Sequence, residues 1–477
     1  MIDANLPAWL RGLGLRLATL AAATGLMLAA IPPADARQQD EPAPTQAEPD
    51  ETKTTPEEAD RQEVLQDSVY VDPRATAAMQ GNFPELYTGI ILPRNSDRLI
   101  AQMARGSARL DPAMIDRFIK GAARQLTDHS NIEAISRPDG QYSRIQEIET
   151  GGRYLMLPYT DVPADQRDRR FLQVYNTKLL EIAPELLSNH LYARVQVMQA
   201  LSRMEDPQAL RILVPLLADD TQPLLVKQLA AEGIKRIALA TGIELSPTDR
   251  EQAATALVGF LRSNPDAYWM AQARALQALG ALRQVSGIQN RERAIFADET
   301  MAALASDDLR IESRAWAGWS LGMYIIPPNY PQLNYSLAAY ELGRLAEEIA
   351  GRIVELSDPR EAASYNPERV KYLTGLLVEP IFEAFDGSSK LPPRQSGMRN
   401  LQALGPHRQY VERVHQLIRQ LAGASVELTR AVGSQRPAAR DAVIARLNEL
   451  RGFLNENRPQ ENTFVPGGRQ FALSDAS

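Results

Sequence analysis

The amino-acid sequence predicts an all-α fold in which pairs of helices stack into an α-α solenoid. A helical pattern recurs four times, each time from a polar or cationic residue to a large aliphatic residue seven positions later, in Arg194–Leu201, Lys227–Ile234, Gln272–Leu279 and Arg314–Leu321. The intervals of 33, 45 and 42 residues are typical of helix-pair arrays, in which neighbours supply the core that no unit can bury alone. Aromatic residues form only 6% of the 477-residue chain, so helix formers outnumber the residues that large sheets need.

The first 36 residues have the features of a secretory signal peptide. Two arginines precede an uncharged apolar stretch at 17–30, and Ala34-Asp35-Ala36 is a small-x-small cleavage site. The alternative is an uncleaved anchor, but fourteen helical residues span only about 21 Å of a hydrocarbon layer roughly 30 Å thick. We therefore expect cleavage after Ala36 and a periplasmic or otherwise exported protein with no stable membrane span. The protein would stay membrane-tethered only if the signal were kept.

Residues 37–67 have the composition of a disordered, acidic, proline-rich linker. From Gln38 to Asp67 ten acidic residues stand against two basic ones, so this stretch is net −8 in a chain that is net −7. Four prolines and very few large apolar residues leave too little burial to offset the entropy of ordering the chain. The rest of the chain is close to neutral.

Five helices are expected to begin at a capping residue followed by proline in the first helical position. These starts are Asp111-Pro112, Asp206-Pro207, Ser246-Pro247, Asn264-Pro265 and Asn366-Pro367.

One repeat unit resembles a known family. The segment Tyr192–Asp220, YARVQVMQALSRMEDPQALRILVPLLADD, has an Arg-bearing helix ending in Ala-Leu, then Asp-Pro, then a helix ending in Leu-Leu-x-Asp. In this it resembles a HEAT/armadillo-like repeat, and the resemblance extends over about 150 residues. It implies stacked helix pairs and a protein-binding surface, but no particular chemistry.

The remaining regions are assigned from composition and periodicity. Residues 68–165 are expected to form an N-terminal helical segment with a β-hairpin at 141–159, because Gly151-Gly152 can supply positive φ at a turn. HEAT-like repeats follow at 166–324, and a proline-rich loop with further helices at 325–389. Residues 390–458 are expected to form a C-terminal helical hairpin, and 459–477 a flexible tail.

The expected C-terminal hairpin is basic. Apolar residues recur at three- and four-residue spacing in both of its helices, interrupted only at Ser425 in the first. Between Lys390 and Arg458 twelve cations stand against five acids, a net charge of +7. Such a surface could bind an anionic envelope polymer, an acidic protein or lipid headgroups, although an Arg-rich solvated face is the simpler explanation. The export signal disfavours nucleic acid.

Chemical motifs are lacking. The four histidines do not have the spacing of a helical zinc site, and the absence of cysteine excludes thiolate sites and disulfides. No nucleophile elbow, phosphate loop or dinucleotide fingerprint occurs in a strand-to-helix context. The sequence therefore predicts no catalytic residue, cofactor or metal.

Aromatic residues form the first set of candidate binding residues. Trp316, Trp319, Tyr324, Tyr330 and Tyr335 fall in the last repeat and the proline-rich loop after it. Facing a groove, they would be rigid anchors for a peptide or glycan. The alternative is that Trp316 and Trp319, three residues apart on one helix, fill the core of the repeat.

Cations at the repeat position form the second set. Arg194, Lys227 and Arg314 occupy it, and Arg274 lies two residues beyond its equivalent, Gln272. They could form a ladder along a groove. The alternative is structural pairing with loops or with an aspartate of an adjacent repeat.

Two functional classes follow. The first is a non-catalytic exported scaffold that binds a protein or peptide partner in the cell envelope. The alternative is a glycan-active envelope enzyme that uses a carboxylate pair on a helical scaffold. Two facing carboxylates in a deep pocket, one of them buried with a raised pKa, would favour the enzyme.

Overall fold

The computed structural model describes residues 72–136, 142–240, 242, 244–289, 293–326, 330, 333–358, 366–389 and 396–472. The expected signal peptide and acidic linker lie outside these residues. Within the described ranges the regular elements are all helices, and the β pairing there is a single antiparallel bridge between Thr463 and Gln470. None of the described helices combines the length and the apolar character that crossing a bilayer requires.

The helices are short to medium in length and follow one another closely along the chain. Up to residue 239 they are α1 (Pro73–Gln80), α2 (Ser96–Ala104), α3 (Pro112–Thr127), α4 (His129–Ser136), α5 (Tyr142–Thr160), α6 (Arg169–Leu187), α7 (Leu191–Arg203), α8 (Leu210–Ala218) and α9 (Leu224–Leu239). Beyond it they are α10 (Pro247–Ser263), α11 (Trp269–Leu282), α12 (Ile295–Leu304), α13 (Ile311–Met323), α14 (Tyr335–Leu356), α15 (Pro367–Leu376), α16 (Phe382–Asp386), α17 (Arg408–Arg430) and α18 (Arg436–Glu456).

Four of the five expected helix starts are confirmed. Asp111, Ser246 and Asn366 accept hydrogen bonds from backbone N–H groups at the starts of α3, α10 and α15, and Asp206 caps a short 3₁₀ turn that leads into α8. The fifth prediction, at Asn264-Pro265, is wrong. Asn264 instead ends α10, and its side-chain amide donates to the carbonyl of Phe260 in the last turn of that helix.

The β-hairpin expected at 141–159 is also wrong, because residues 142–160 form helix α5. The glycine pair serves close packing and not a turn. A Cβ on Gly151 would lie 3.1 Å from the carbonyl oxygen of Ala122 in α3, and one on Gly152 would overlap the side chain of Gln196 in α7. Glycine therefore lets α5 approach both neighbours, and this packing overrides the weak helix propensity of the pair.

Two groups of helices organise the middle of the chain. The four helices that carry the recurring pattern, α7, α9, α11 and α13, form what we call the repeat layer, in which each helix packs against the next. Helices α8, α10 and α12 also pack in succession, and each contacts the repeat-layer helix that follows it. Helix α5 packs against α7 at the start of the series, and α16 packs against α13 at its end.

The buried apolar residues form two large clusters. The first extends from Ile100 to Phe296 and the second from Leu276 to Phe471, so both include residues of α11. Helices α17 and α18 pack against each other and against α14, and Ser425, which interrupts the apolar seam of α17, is buried with its hydroxyl bonded to the Leu421 carbonyl.

The segment after α18 contacts the second cluster. Phe464, Val465 and Phe471 are buried, and the backbone N–H of Asn334 donates to the Phe464 carbonyl. Residues 459–472 therefore lack helical periodicity but are anchored by aromatic side chains, which the expectation of a flexible tail did not anticipate.

Candidate functional site

The recurring polar position has the same place in all four repeat-layer helices. Arg194, Lys227, Gln272 and Arg314 are each the fourth residue of their helix. All four are buried. A cation in the first helical turn is opposed by the positive end of the helix dipole, so it requires oxygen partners nearby.

The loops between helices provide these partners. Arg194 donates from Nε to the Asn189 carbonyl at 2.6 Å, and Lys227 Nζ lies 3.6 Å from Asp220. Both partners precede the helix that carries the cation. Burial lowers the pKa of both side chains. The position thus fastens each helix start to its own loop.

The third and fourth helices repeat this arrangement. Gln272 donates to the Pro265 carbonyl at 2.6 Å. Arg314 donates from Nε to the Leu304 carbonyl at 3.1 Å, and its other nitrogens lie 3.8 Å from Asp307 and 2.7 Å from Glu348. Three of the four cations in the expected ladder are therefore buried loop contacts, and only Arg274 lies elsewhere.

Arg274 belongs to a cluster that spans three repeat-layer helices. Glu232 of α9 is at its centre: Lys235 Nζ lies 2.5 Å from Oε2, Arg236 Nε 2.9 Å from Oε1, and Arg274 Nη1 3.5 Å from Oε2. Arg203, the last residue of α7, adds a fourth cation. We call these five residues the cation cluster.

Hydrogen bonds fix the geometry of the cation cluster. The amide oxygen of Gln277, four per cent exposed, accepts from Lys235 at 3.1 Å and from Arg274 at 2.8 Å. Arg203 donates to the carbonyl of Gln199, one turn earlier on α7. The cations are thus held apart at fixed positions on α7, α9 and α11.

The pKa shifts reflect this crowding. Burial alone would raise the pKa of Glu232, but Lys235, Arg274 and Arg236 lower it to about 2. Burial lowers the pKa of Lys235 to about 8, and Arg274 and Arg236 add to the lowering while Glu232 opposes it. The pKa of Arg203 is lowered by burial and by Arg236. At neutral pH the cluster therefore holds four cations and one carboxylate.

Apolar side chains continue the same face. On α9, Leu225 and Leu229 lie on the stripe of Glu232 and Arg236, at intervals of four, three and four residues, and on α11 Met270 precedes Arg274 by four. Leu225 is 44% exposed, and Leu229 and Met270 are half-buried. We call this surface of α7, α9 and α11 the open face of the repeat layer.

The two tryptophans lie on α13, next to α11. The Trp316 and Trp319 rings meet edge to face, with centroids 5.8 Å apart, and form a small cluster with Met323 and Leu239. Trp319 is only 3% exposed and donates from Nε1 to Glu383 at 2.6 Å, whereas Trp316 is half-buried. Gly280 makes room for this cluster, since a Cβ there would lie 2.7 Å from the Trp319 ring.

The candidate tyrosines belong to the second core. Tyr324 is buried with its hydroxyl 2.6 Å from Thr300 Oγ1, and Tyr335 is buried edge-on against Phe464. Tyr330 is half-buried against the same cluster. The expected aromatic group is therefore divided, and within it Trp316 is the residue that lies beside the open face.

The C-terminal helices carry fewer free charges than the sequence suggests. Arg399, Arg440 and Arg451 form ion pairs with Asp386, Asp358 and Glu347, which all lie before residue 390. Arg408, Arg430 and Arg446 pair with glutamates of their own helices. The net charge of +7 counted along the sequence is thus partly neutralised in the fold.

A carboxylate pair of the kind an acid-base enzyme uses does not stand out in the described part of the chain. Burial raises the pKa of Glu341 to about 7, but its neighbours are Arg314 and Arg344, and the carboxylate that adds to the rise, Asp307, is 80% exposed. Two surface clefts of about 500 and 540 Å³ lie along α8. The first contains one carboxylate, Asp219, and the second one, Asp249.

Of the cation cluster, Arg274 is the one residue among the sequence-predicted candidates, because the repeat position lies in the first turn of each helix. A signal for the cluster was present in the sequence. Arg203 and Arg236 lie in the last turns of α7 and α9, where a cation is favoured by the helix dipole and needs no loop partner.

Comparisons with known proteins give no relative: no family model, no curated protein and no solved structure matches this chain.

Proposed function

We propose that this chain is a non-catalytic, exported scaffold whose helix pairs form an α-α solenoid and whose repeat layer binds a protein or peptide partner in the cell envelope. The observation that carries the proposal is the continuity of the open face. Three successive helices present half-buried side chains on one surface, and Trp316 on the fourth borders it. An extended partner can contact several helices at once on such a surface.

The composition of the face supports a macromolecular partner. Leucine, methionine and tryptophan side chains lie beside arginines at this face. Of these, aromatic residues, methionine and arginine are enriched at protein interfaces. Fixed polar groups such as Gln277 orient the cations before a partner arrives, so little ordering is needed on binding. The signal-like N-terminus supports a partner in the envelope.

Site-specific crosslinking tests this proposal. A benzophenone side chain is introduced at Gln199 or Gln228 on the open face, and, as matched controls, at Arg211 or Ala218, which are exposed on α8. After irradiation in envelope extract, we expect a discrete adduct from the open-face positions and none from the controls. Equal adducts from both sets, or none from Gln199 and Gln228, would contradict the proposal.

A further inference from the structure

The cation cluster carries more positive charge than its own contacts neutralise. Of its four cations, Lys235, Arg236 and Arg274 share one carboxylate, Glu232. Arg203 feels the charge of Glu232 from farther away, and no other carboxylate of the described part of the chain lies within ion-pair distance of the four. An excess of three positive charges is therefore concentrated on three adjacent helices.

This excess contrasts with the other arginines of the fold. Arg314 has two carboxylates near it, and Arg440 and Arg451 each pair with one. Confining several like charges at one partly buried place is unfavourable unless an anion relieves their repulsion. The repulsion within the cluster remains because the residue between Lys235 and Arg274 is the neutral Gln277 and not a second acid.

The cations are also accessible to a ligand. The side chains of Arg236 and Arg274 are 41% and 32% exposed, while Lys235 behind them is 16% exposed. A guanidinium presents paired N–H donors that match the two oxygens of a carboxylate. An anion approaching from solvent would meet the two arginines first and the lysine beneath them.

We propose that the cation cluster binds the carboxylate of an acidic side chain in a peptide segment whose apolar residues cover Leu225, Leu229 and Met270. This inference rests on the proposed function and names the chemistry of the partner. The apolar stripe favours a peptide over a small inorganic anion, because a free phosphate would leave the leucines exposed. Charge complementarity selects the acidic residues, and the stripe selects the apolar ones.

The test uses the full chain and a fluorescein-labelled synthetic peptide of glutamate and leucine residues. Its affinity is measured by fluorescence anisotropy, with the same peptide carrying glutamine in place of glutamate as the uncharged probe. We expect the acidic peptide to bind at least tenfold more tightly than the glutamine peptide. The affinity should also weaken as salt rises from about 50 to 300 mM, because screening shortens the reach of the cations.

Two double variants locate the binding. Arg203→Gln with Arg274→Gln removes two cluster cations, whereas Arg419→Gln with Arg446→Gln removes two charges from α17 and α18 as the matched control. We expect the first pair to weaken peptide binding at least tenfold and the second to leave it unchanged. Circular dichroism reports whether each variant is folded. If the first pair unfolds, Arg236→Gln alone must weaken binding at least threefold.

Three results would overturn the inference: equal binding by both double variants, equal binding of the two peptides, or displacement of the acidic peptide by micromolar inorganic phosphate, which would mean a site for a free anion. These results are separate from those of the crosslinking experiment. A partner that is crosslinked at Gln228 but insensitive to the cluster variants would leave the scaffold standing without this site. Peptide binding that depends on the cation cluster, without a crosslinked partner, would leave this site standing without support for the scaffold.

Discussion

Cations occur in two contrasting settings along the same repeat-layer helices. In the first turns, Arg194, Lys227 and Arg314 are buried and reach back to the loop that precedes their helix. Further along, Arg203 and Arg236 lie in the last turns of their helices, and Arg236 shares one glutamate with Lys235 and Arg274. A first-turn cation opposes the helix dipole and is retained for its loop contacts, whereas a last-turn cation needs none. The comparison teaches that position within the helix, more than membership of a repeated pattern, separates cations that hold the fold from cations free to bind.

The largest expected loss of stability is at the tryptophans of α13, of which Trp319 is buried in the fold and Trp316 borders the open face. Trp319 is almost fully buried and bonded to Glu383, so Trp319→Ala should cost about 3–5 kcal/mol of unfolding free energy. Trp316→Ala should cost about 1–2 kcal/mol, since part of that ring is already in water. Urea unfolding followed by circular dichroism measures both. A larger loss at Trp316 than at Trp319 would mean that Trp316 is the core residue of the pair, which would contradict this account.

A smaller loss is expected at the first-turn cations. Arg314→Ala removes a buried guanidinium that bonds the Leu304 carbonyl and faces Glu348, and should cost about 2–3 kcal/mol. Arg419→Ala, an exposed position on α17, is the control and should change stability by less than about 0.5 kcal/mol. If both variants are equally stable in urea, the first-turn contacts do not hold the fold.

Substitution of Glu232, the central carboxylate of the cation cluster, should change stability and peptide binding in opposite directions. Glu232→Gln leaves four cations without a carboxylate and should destabilise the free protein by about 2 kcal/mol. It should also tighten binding of the acidic peptide severalfold, because a competing carboxylate is gone. Urea unfolding and fluorescence anisotropy give the two quantities. Weaker peptide binding in a folded variant would argue that Glu232 itself belongs to the recognition surface.

The pH dependence of stability tests whether Lys235 is desolvated within the cation cluster. The pKa of Lys235 is lowered to about 8 in the folded protein, so between pH 8 and its unfolded value near 10.5 the unfolded state binds more protons. The lysine therefore makes stability rise with pH in that window, by about 3 kcal/mol over the whole window. Lys235→Met should flatten this rise, as judged from unfolding free energies at pH 7.5, 9 and 10.5. An unchanged rise in the variant would mean that the lysine is not desolvated.

Much of the helical architecture follows from local sequence signals. Asp111, Ser246 and Asn366 identify helix starts because a capping oxygen and a following proline satisfy the backbone without help from the rest of the fold. The apolar seam from Val411 to Leu428 is buried for the same kind of reason, since its spacing defines one helical face.

Other features depend on tertiary contacts that the sequence does not display. Gly151-Gly152 has the local signal of a turn, yet packing of α5 against α3 and α7 makes it helical. Phe464 and Phe471 lie in a stretch without periodicity, and only the fold reveals the core they enter. The cation cluster is of this type too, because α9 and α11 bring together Lys235 and Gln277, which are 42 residues apart in sequence.

The most direct test of the contrast between the two sets of cations is a paired measurement on Arg194→Gln and Arg236→Gln, with unfolding free energy and acidic-peptide affinity determined for each. Arg194→Gln should lose about 2 kcal/mol of stability, since a charge-assisted hydrogen bond to the Asn189 carbonyl is removed, and should bind the peptide as tightly as the unaltered chain. Arg236→Gln should lose less than about 1 kcal/mol, because its side chain is 41% exposed, and should weaken binding at least threefold. If Arg194→Gln impairs binding in a folded protein, or if Arg236→Gln leaves binding intact, the distinction between structural and recognition cations is contradicted.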